Sequence, residues 1–141
     1  MLNQLKLVTD RTQEDVLLQN SKGTYGVADL NRVESAVKAL AELATALAVR
    51  FSPVTKTDWS LSGYPSQNTP TKSQLQRYLD NVRTLCDAVE ISYDLPVSMK
   101  KLGYREANNI EASLLAAERR IREILSCFRF SGEIYAGDDI L

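Results

Sequence analysis

Histidine is missing from these 141 residues. Its absence removes the usual proton shuttle at neutral pH and the commonest transition-metal ligand. Cysteine is scarce: Cys86 and Cys127 lie far apart, in no metal-type spacing, each inside an apolar helical pattern where a free thiol behaves as a small hydrophobe. Whether they pair is left open. No apolar run approaches the roughly 20 residues of a membrane span, and MLNQLKLVTDRTQ at the start lacks a secretory apolar core. The expectation is a protein made and folded in a cytoplasm, with no membrane contact. Charge of either sign is not in excess: the net value of −1 gives no field to recruit nucleic acid.

What is present is a 44% hydrophobic, 25% charged chain of single-domain size. Three segments carry apolar residues at steps of three and four. One runs Leu30, Val33, Val37, Leu40, Ala44, Leu47, Phe51; the next Leu75, Tyr78, Val82, Leu85, Val89. The third runs Ala107, Ile110, Leu114, Ala117, Ile121, Leu125, Phe128. Such steps put one stripe on each helix and favour shallow crossings. A short fourth helix, Gln13 to Asn20, adds Val16 and Leu17. The spacing predicts an all-α fold over residues 1–141, a small bundle of three long helices plus a short N-terminal one. Helix direction is undetermined, because either long connection can return antiparallel or cross over.

The helix openings share a design. A cap residue is followed three positions later by an acid or amide able to reach back: Thr12 with Asp15, Gly26 with Asp29, Thr71 with Gln74, Gly103 with Glu106. This bears on KGTYGVADLNRVESAV (22–37), whose glycines invite a phosphate-loop reading. A Walker loop needs a preceding strand and a GK[ST] triplet. Here the order is Lys22-Gly23-Thr24, no strand-like run precedes it, and Asp29 occupies the dipole site a phosphate would seek. The glycines shape a turn and a cap.

Two regions break the pattern. Residues 52–70, SPVTKTDWSLSGYPSQNTP, form a long connection holding the single tryptophan, Trp59, with Leu61 and Tyr64. Trp59 either pins the loop across the helices, the favoured reading, or anchors a partner. After Phe128 helical periodicity fades, so residues 129–141 are expected to be an extended tail carrying Phe130, Ile134 and Tyr135. Leu61, Tyr64, Phe130, Ile134, Tyr135 and Trp59 are the candidate protein-contact residues.

Chemical constellations are thin. Arg119, Arg120 and Arg122 interleave with Glu118 and Glu123 and read as a solvated face, Arg119 and Glu123 standing one turn apart. Cys86 has no base, and Asp87 beside it raises its pKa. Glu34, Glu111 and Glu118 lie on helices with no His partner for a di-iron site. No catalytic residue, metal ligand or cofactor is assigned. Asn31, Gln76 and Asn108, at matching places in the three openings, either form a buried polar layer or merely flank the stripes in water.

Taken in order, VTDRTQEDV (8–16), KGTYGVADLNRVESAV (22–37), KTDWS (56–60), QLQRYLDNVRTL (74–85), LGYREANNIE (102–111) and SGEIYAGD (131–138) resemble a family of small proteins and modules from tailed phages and prophages of Gram-positive bacteria. The resemblance spans nearly the whole chain. It implies a minor structural or tail-associated virion protein with no catalytic residues. Its implied partners are other phage structural proteins and a possible homo-oligomer. The alternative is a cytoplasmic prophage accessory factor binding a host protein or nucleic acid. This chain departs from the family in its short connection before Lys22 and in glycine at 26 and 103 where Asn or Thr caps are expected.

Overall fold

The computed structural model describes residues 6–59 and 70–134, with residues 128–134 as backbone only. Helix α1 spans Gln13–Leu18, α2 Val27–Ala44, α3 Lys72–Ala88 and α4 Tyr104–Ile134, and a 3-10 turn at Thr45–Leu47 extends α2. Among the described residues there is no strand, and the all-α bundle is as expected. None of these helices is long and apolar enough to cross a membrane.

The stripes converge on one core. Leu30, Val33, Val37 and Leu40 of α2, Tyr78, Val82 and Leu85 of α3, and Ile110, Leu114 and Ile121 of α4 are all buried, joined by Leu79 and Cys86. Each such side chain contributes roughly 1.5–3 kcal/mol by leaving water. The three long helices run parallel. Near their starts, Arg32 of α2 reaches Glu111 of α4 and Arg77 of α3 reaches Glu34 of α2. At the other end, Leu47, Ala88, Arg120 and Ile124 line one small cleft.

Parallel direction explains the long connections. The 18 residues of α2 rise about 27 Å, so the chain needs at least about eight extended residues to climb back before α3 can start. Two straps without regular secondary structure, 8–11 and 56–59, lie against the helices.

The sequence expectation needs correcting at three places. Helix α2 stops at Ala44 rather than reaching Phe51: the Thr45 hydroxyl donates to the Glu42 carbonyl, and Ala48 turns left-handed at φ 61°. Val16 and Leu17 do not join the core. Nothing in α1 is buried, and Leu17 and Leu18 are 75% and 66% exposed. The tail expected to be extended from 129 continues as helix through Ile134. No proline interrupts it, and a lone glycine costs only about 1 kcal/mol inside a helix whose propagation is cheap.

Three of the four caps are as read. Thr12 and Thr71 make full boxes with Asp15 and Gln74. Gly26 has no side chain to contribute, and only its N–H is capped, by Asp29 Oδ2 at 2.8 Å. Gly23 is required by close approach: a Cβ there would sit 2.0 Å from the Asp15 carbonyl oxygen. Glycine at 22–26 serves a turn and a cap.

Candidate functional site: two carboxylate latches

The chemically conspicuous groups lie where each strap meets a helix. On α4, Asn108 clamps the backbone of Arg11 from both sides: its Oδ1 accepts the Arg11 N–H at 3.0 Å and its Nδ2 donates to the Arg11 carbonyl at 3.0 Å. One turn on, Glu111 accepts the Val8 N–H at 2.9 Å and the Arg11 guanidinium at 2.5 Å. On α2, Asn31 clamps Trp59 in the same manner, at 2.7 and 2.8 Å. One turn on again, Glu34 accepts the Lys56 N–H at 3.0 Å and the Trp59 indole N–H at 2.5 Å.

The correspondence holds residue by residue. In each latch an asparagine grips strap position n. A glutamate three residues later takes the side chain of n and the N–H of n−3. An arginine from the neighbouring helix closes each latch: Arg32 on Glu111 at 2.7 and 2.8 Å, Arg77 on Glu34 at 2.7 and 3.3 Å. Arg77 also bonds the Val54 carbonyl, which accepts from Asn81 as well.

These charges are buried. Glu111 and Glu34 are 0% and 2% exposed and Arg11 is 4% exposed. The first latch balances, with Arg11 and Arg32 against Asp29 and Glu111. The second balances Arg77 against Glu34. Asp29 also gains from the α2 N-terminus, where the helix dipole is positive. Hydrogen bonding to Glu111 raises the already high Arg32 pKa, and this outweighs the opposing effect of burial. An isolated buried charge would cost several kcal/mol; here both oxygens of each glutamate are hydrogen-bonded, while Arg11 Nε is buried without a hydrogen-bond partner.

Around the first latch, Arg11 stacks 5.5 Å above the Tyr25 ring, and the Tyr25 and Tyr78 hydroxyls bond each other. Burial raises the pKa of both phenols. Burial, aided by Asp87, pushes the Cys86 thiol up to about 12, so this thiol is protonated at neutral pH.

A general base needs a lone pair free to accept a proton. Each oxygen of Glu34 and Glu111 already receives at least two donors. In this state the arrangement holds chain segments in place. Among the described residues no group of three or more acidic or thiol side chains is placed to hold a metal.

Comparison with family models, curated proteins and solved structures returned no match.

Of the six contact candidates, Trp59 is 4% exposed and part of the core. It pins its strap, the reading favoured from sequence, and so is withdrawn from any partner while the strap stays in place. Leu61, Tyr64 and Tyr135 lie outside the described residues, and Phe130 and Ile134 fall on the last turns of α4, where only the backbone is described. On the basic face of α4, Arg122 pairs with Glu118 at 3.2 Å.

Two of the three matching amides do something neither sequence reading anticipated, and the third is wet. Asn31 and Asn108 are strap clamps, whereas Gln76 is exposed and bonds Asp80. A signal for this was present in the chain: Thr9-Asp10-Arg11-Thr12 parallels Thr57-Asp58-Trp59-Ser60, and Asn31-x-x-Glu34 parallels Asn108-x-x-Glu111.

Proposed function

We propose that this chain is a non-enzymatic structural protein of a phage or prophage virion, associated with the tail or baseplate and working through protein–protein contacts. The ordered resemblance across the chain supports the virion assignment. The observation that carries the mechanistic half is the saturation of Glu34 and Glu111 by strap donors. The groups best suited to chemistry are committed to shape.

Contacts are then made by surface. Helix α1 presents Leu17 and Leu18 to solvent beside a cleft of about 730 Å³ lined by Val16, Tyr25, Leu30, Leu75, Met99 and Leu102. Exposed apolar groups clustered beside a cleft are characteristic of interaction sites. The end of α4, carrying Phe130 and Ile134, and the loop carrying Leu61 and Tyr64 are the other contact regions we assign.

Mass spectrometry of purified, induced particles tests the assignment. The polypeptide is expected at a level stoichiometric with other tail components. Recovery only from the particle-free lysate would overturn it and favour the accessory reading.

A further inference from the structure

The two latches are alike, yet their straps are tethered differently. Strap 56–59 is bounded on one side by the α2 turn and on the other by the connection into α3. Strap 8–11 is tethered to the described body by residues 12–24, which lead to Tyr25 packed on the core and contain α1, and α1 buries nothing. These thirteen residues span up to about 45 Å when extended. That is enough to carry the strap away from its own helices.

The groove that strap 8–11 occupies cannot comfortably stand empty. Without Arg11, Arg32 alone faces the buried carboxylates of Asp29 and Glu111, leaving one negative charge unbalanced. Asn108 Oδ1 and Nδ2 would lose both backbone partners, and Glu111 would lose the Val8 N–H. The site thus specifies its occupant chemically: a segment with an arginine at one position and a free N–H three residues earlier. Another copy of this chain carries that segment.

We propose that the groove between α2 and α4 is an acceptor site for strap 8–11 of a second copy, so that the chain assembles by exchange of this strap. Exchange replaces every latch contact with an identical one, so the closed and exchanged forms differ only in tether geometry and concentration. That is the low-cost route by which domain swapping makes oligomers. The alignment of charges, not an apolar patch, selects the partner. The inference stands independently of the virion assignment.

The test uses the whole 141-residue chain, refolded from denaturant at about 1 µM and at about 1 mM, a range that rises from far below the effective concentration of a short tether to its order. Mass is measured by light scattering after size exclusion. Each refolding is repeated with excess synthetic peptide covering residues 6–12, and with the same peptide carrying Arg11→Ala. Multimers are expected at the high concentration. The natural peptide should reduce them at least tenfold, and the Arg11→Ala peptide should leave them unchanged. A monomer at every concentration would overturn the proposal. So would a multimer that the natural peptide leaves intact, or one that both peptides reduce alike.

Discussion

The indole N–H of Trp59 donates to Glu34 Oε2 at 2.5 Å, joining residues 25 apart in the chain with both partners buried. The bond gives the single tryptophan two functions, filling the core and satisfying a buried carboxylate. Trp59→Phe keeps most of the ring but removes that donor. It is expected to cost about 1–3 kcal/mol, the usual penalty for an acceptor left short, read from the urea midpoint by helical circular dichroism.

The same geometry makes Trp59 a reporter of strap release. Its emission in the native protein is expected to be that of a buried indole. It should shift red in the same transition that removes helical ellipticity, because coincident probes mark one cooperative unit. An emission shift well ahead of the helix signal would show that the strap opens independently of the bundle.

Removing one partner of the other latch is expected to cost more. Glu111→Ala leaves buried Arg11 and half-buried Arg32 without their main acceptor, and loss of about 3–5 kcal/mol is expected. Replacing Arg11 and Glu111 together by apolar residues should recover a large part of that loss. A double-mutant cycle in denaturant measures the difference. Near-additive single costs would show that the pair is not coupled as the 2.5 Å contact indicates.

The sequence made the helices legible because their information is local. Stripe residues such as Val33, Leu85 and Ile121 and cap pairs such as Thr71–Gln74 declare themselves within one or two turns. The latches were not legible in that way. Glu34 and Glu111 carry the composition of a solvated face, and only partners 22 to 103 residues away make them interior. Helix direction was hidden for the same reason. Nothing in α2 or α3 alone says whether the connection climbs back, although the length of 52–70 is what a crossover requires. The apolar look of Val16 and Leu17 misled because a helix of six residues is too short for periodicity to define a face.

Alkali is expected to destabilise the fold. Cys86 titrates at about 12 in the native state, against roughly 8.5 unfolded. The folded protein therefore holds the proton through the window in which the unfolded chain gives it up. Stability from this group is complete below pH 8.5 or so and falls as pH rises toward 12. Tyr25 and Tyr78, raised by burial, steepen the fall above pH 10 or so. Urea midpoints measured from pH 7 to 11 should decline, with a shallower slope in Cys86→Ala. Unchanged midpoints would contradict the burial of all three groups.

The two glycines of the opening loop should respond oppositely. Gly23→Ala places a Cβ 2.0 Å from the Asp15 carbonyl oxygen and is expected to destabilise by more than about 1 kcal/mol. Gly26→Asn has open space around the new side chain and supplies the missing half of the cap. A gain of a few tenths of a kcal/mol is expected, read from paired thermal melts.

Native-state hydrogen exchange at single-residue resolution reaches the latches most directly. The backbone amides of Val8, Arg11, Lys56 and Trp59 belong to no helix or strand, yet each donates to a buried or half-buried side chain. They are expected to exchange at least about a hundredfold more slowly than the exposed residues between them, Thr9, Asp10, Thr57 and Asp58. In Glu34→Gln, Lys56 and Trp59 should lose protection while Val8 and Arg11 keep theirs. Uniformly fast exchange along both straps in the unaltered protein would show that Glu34 and Glu111 do not hold them.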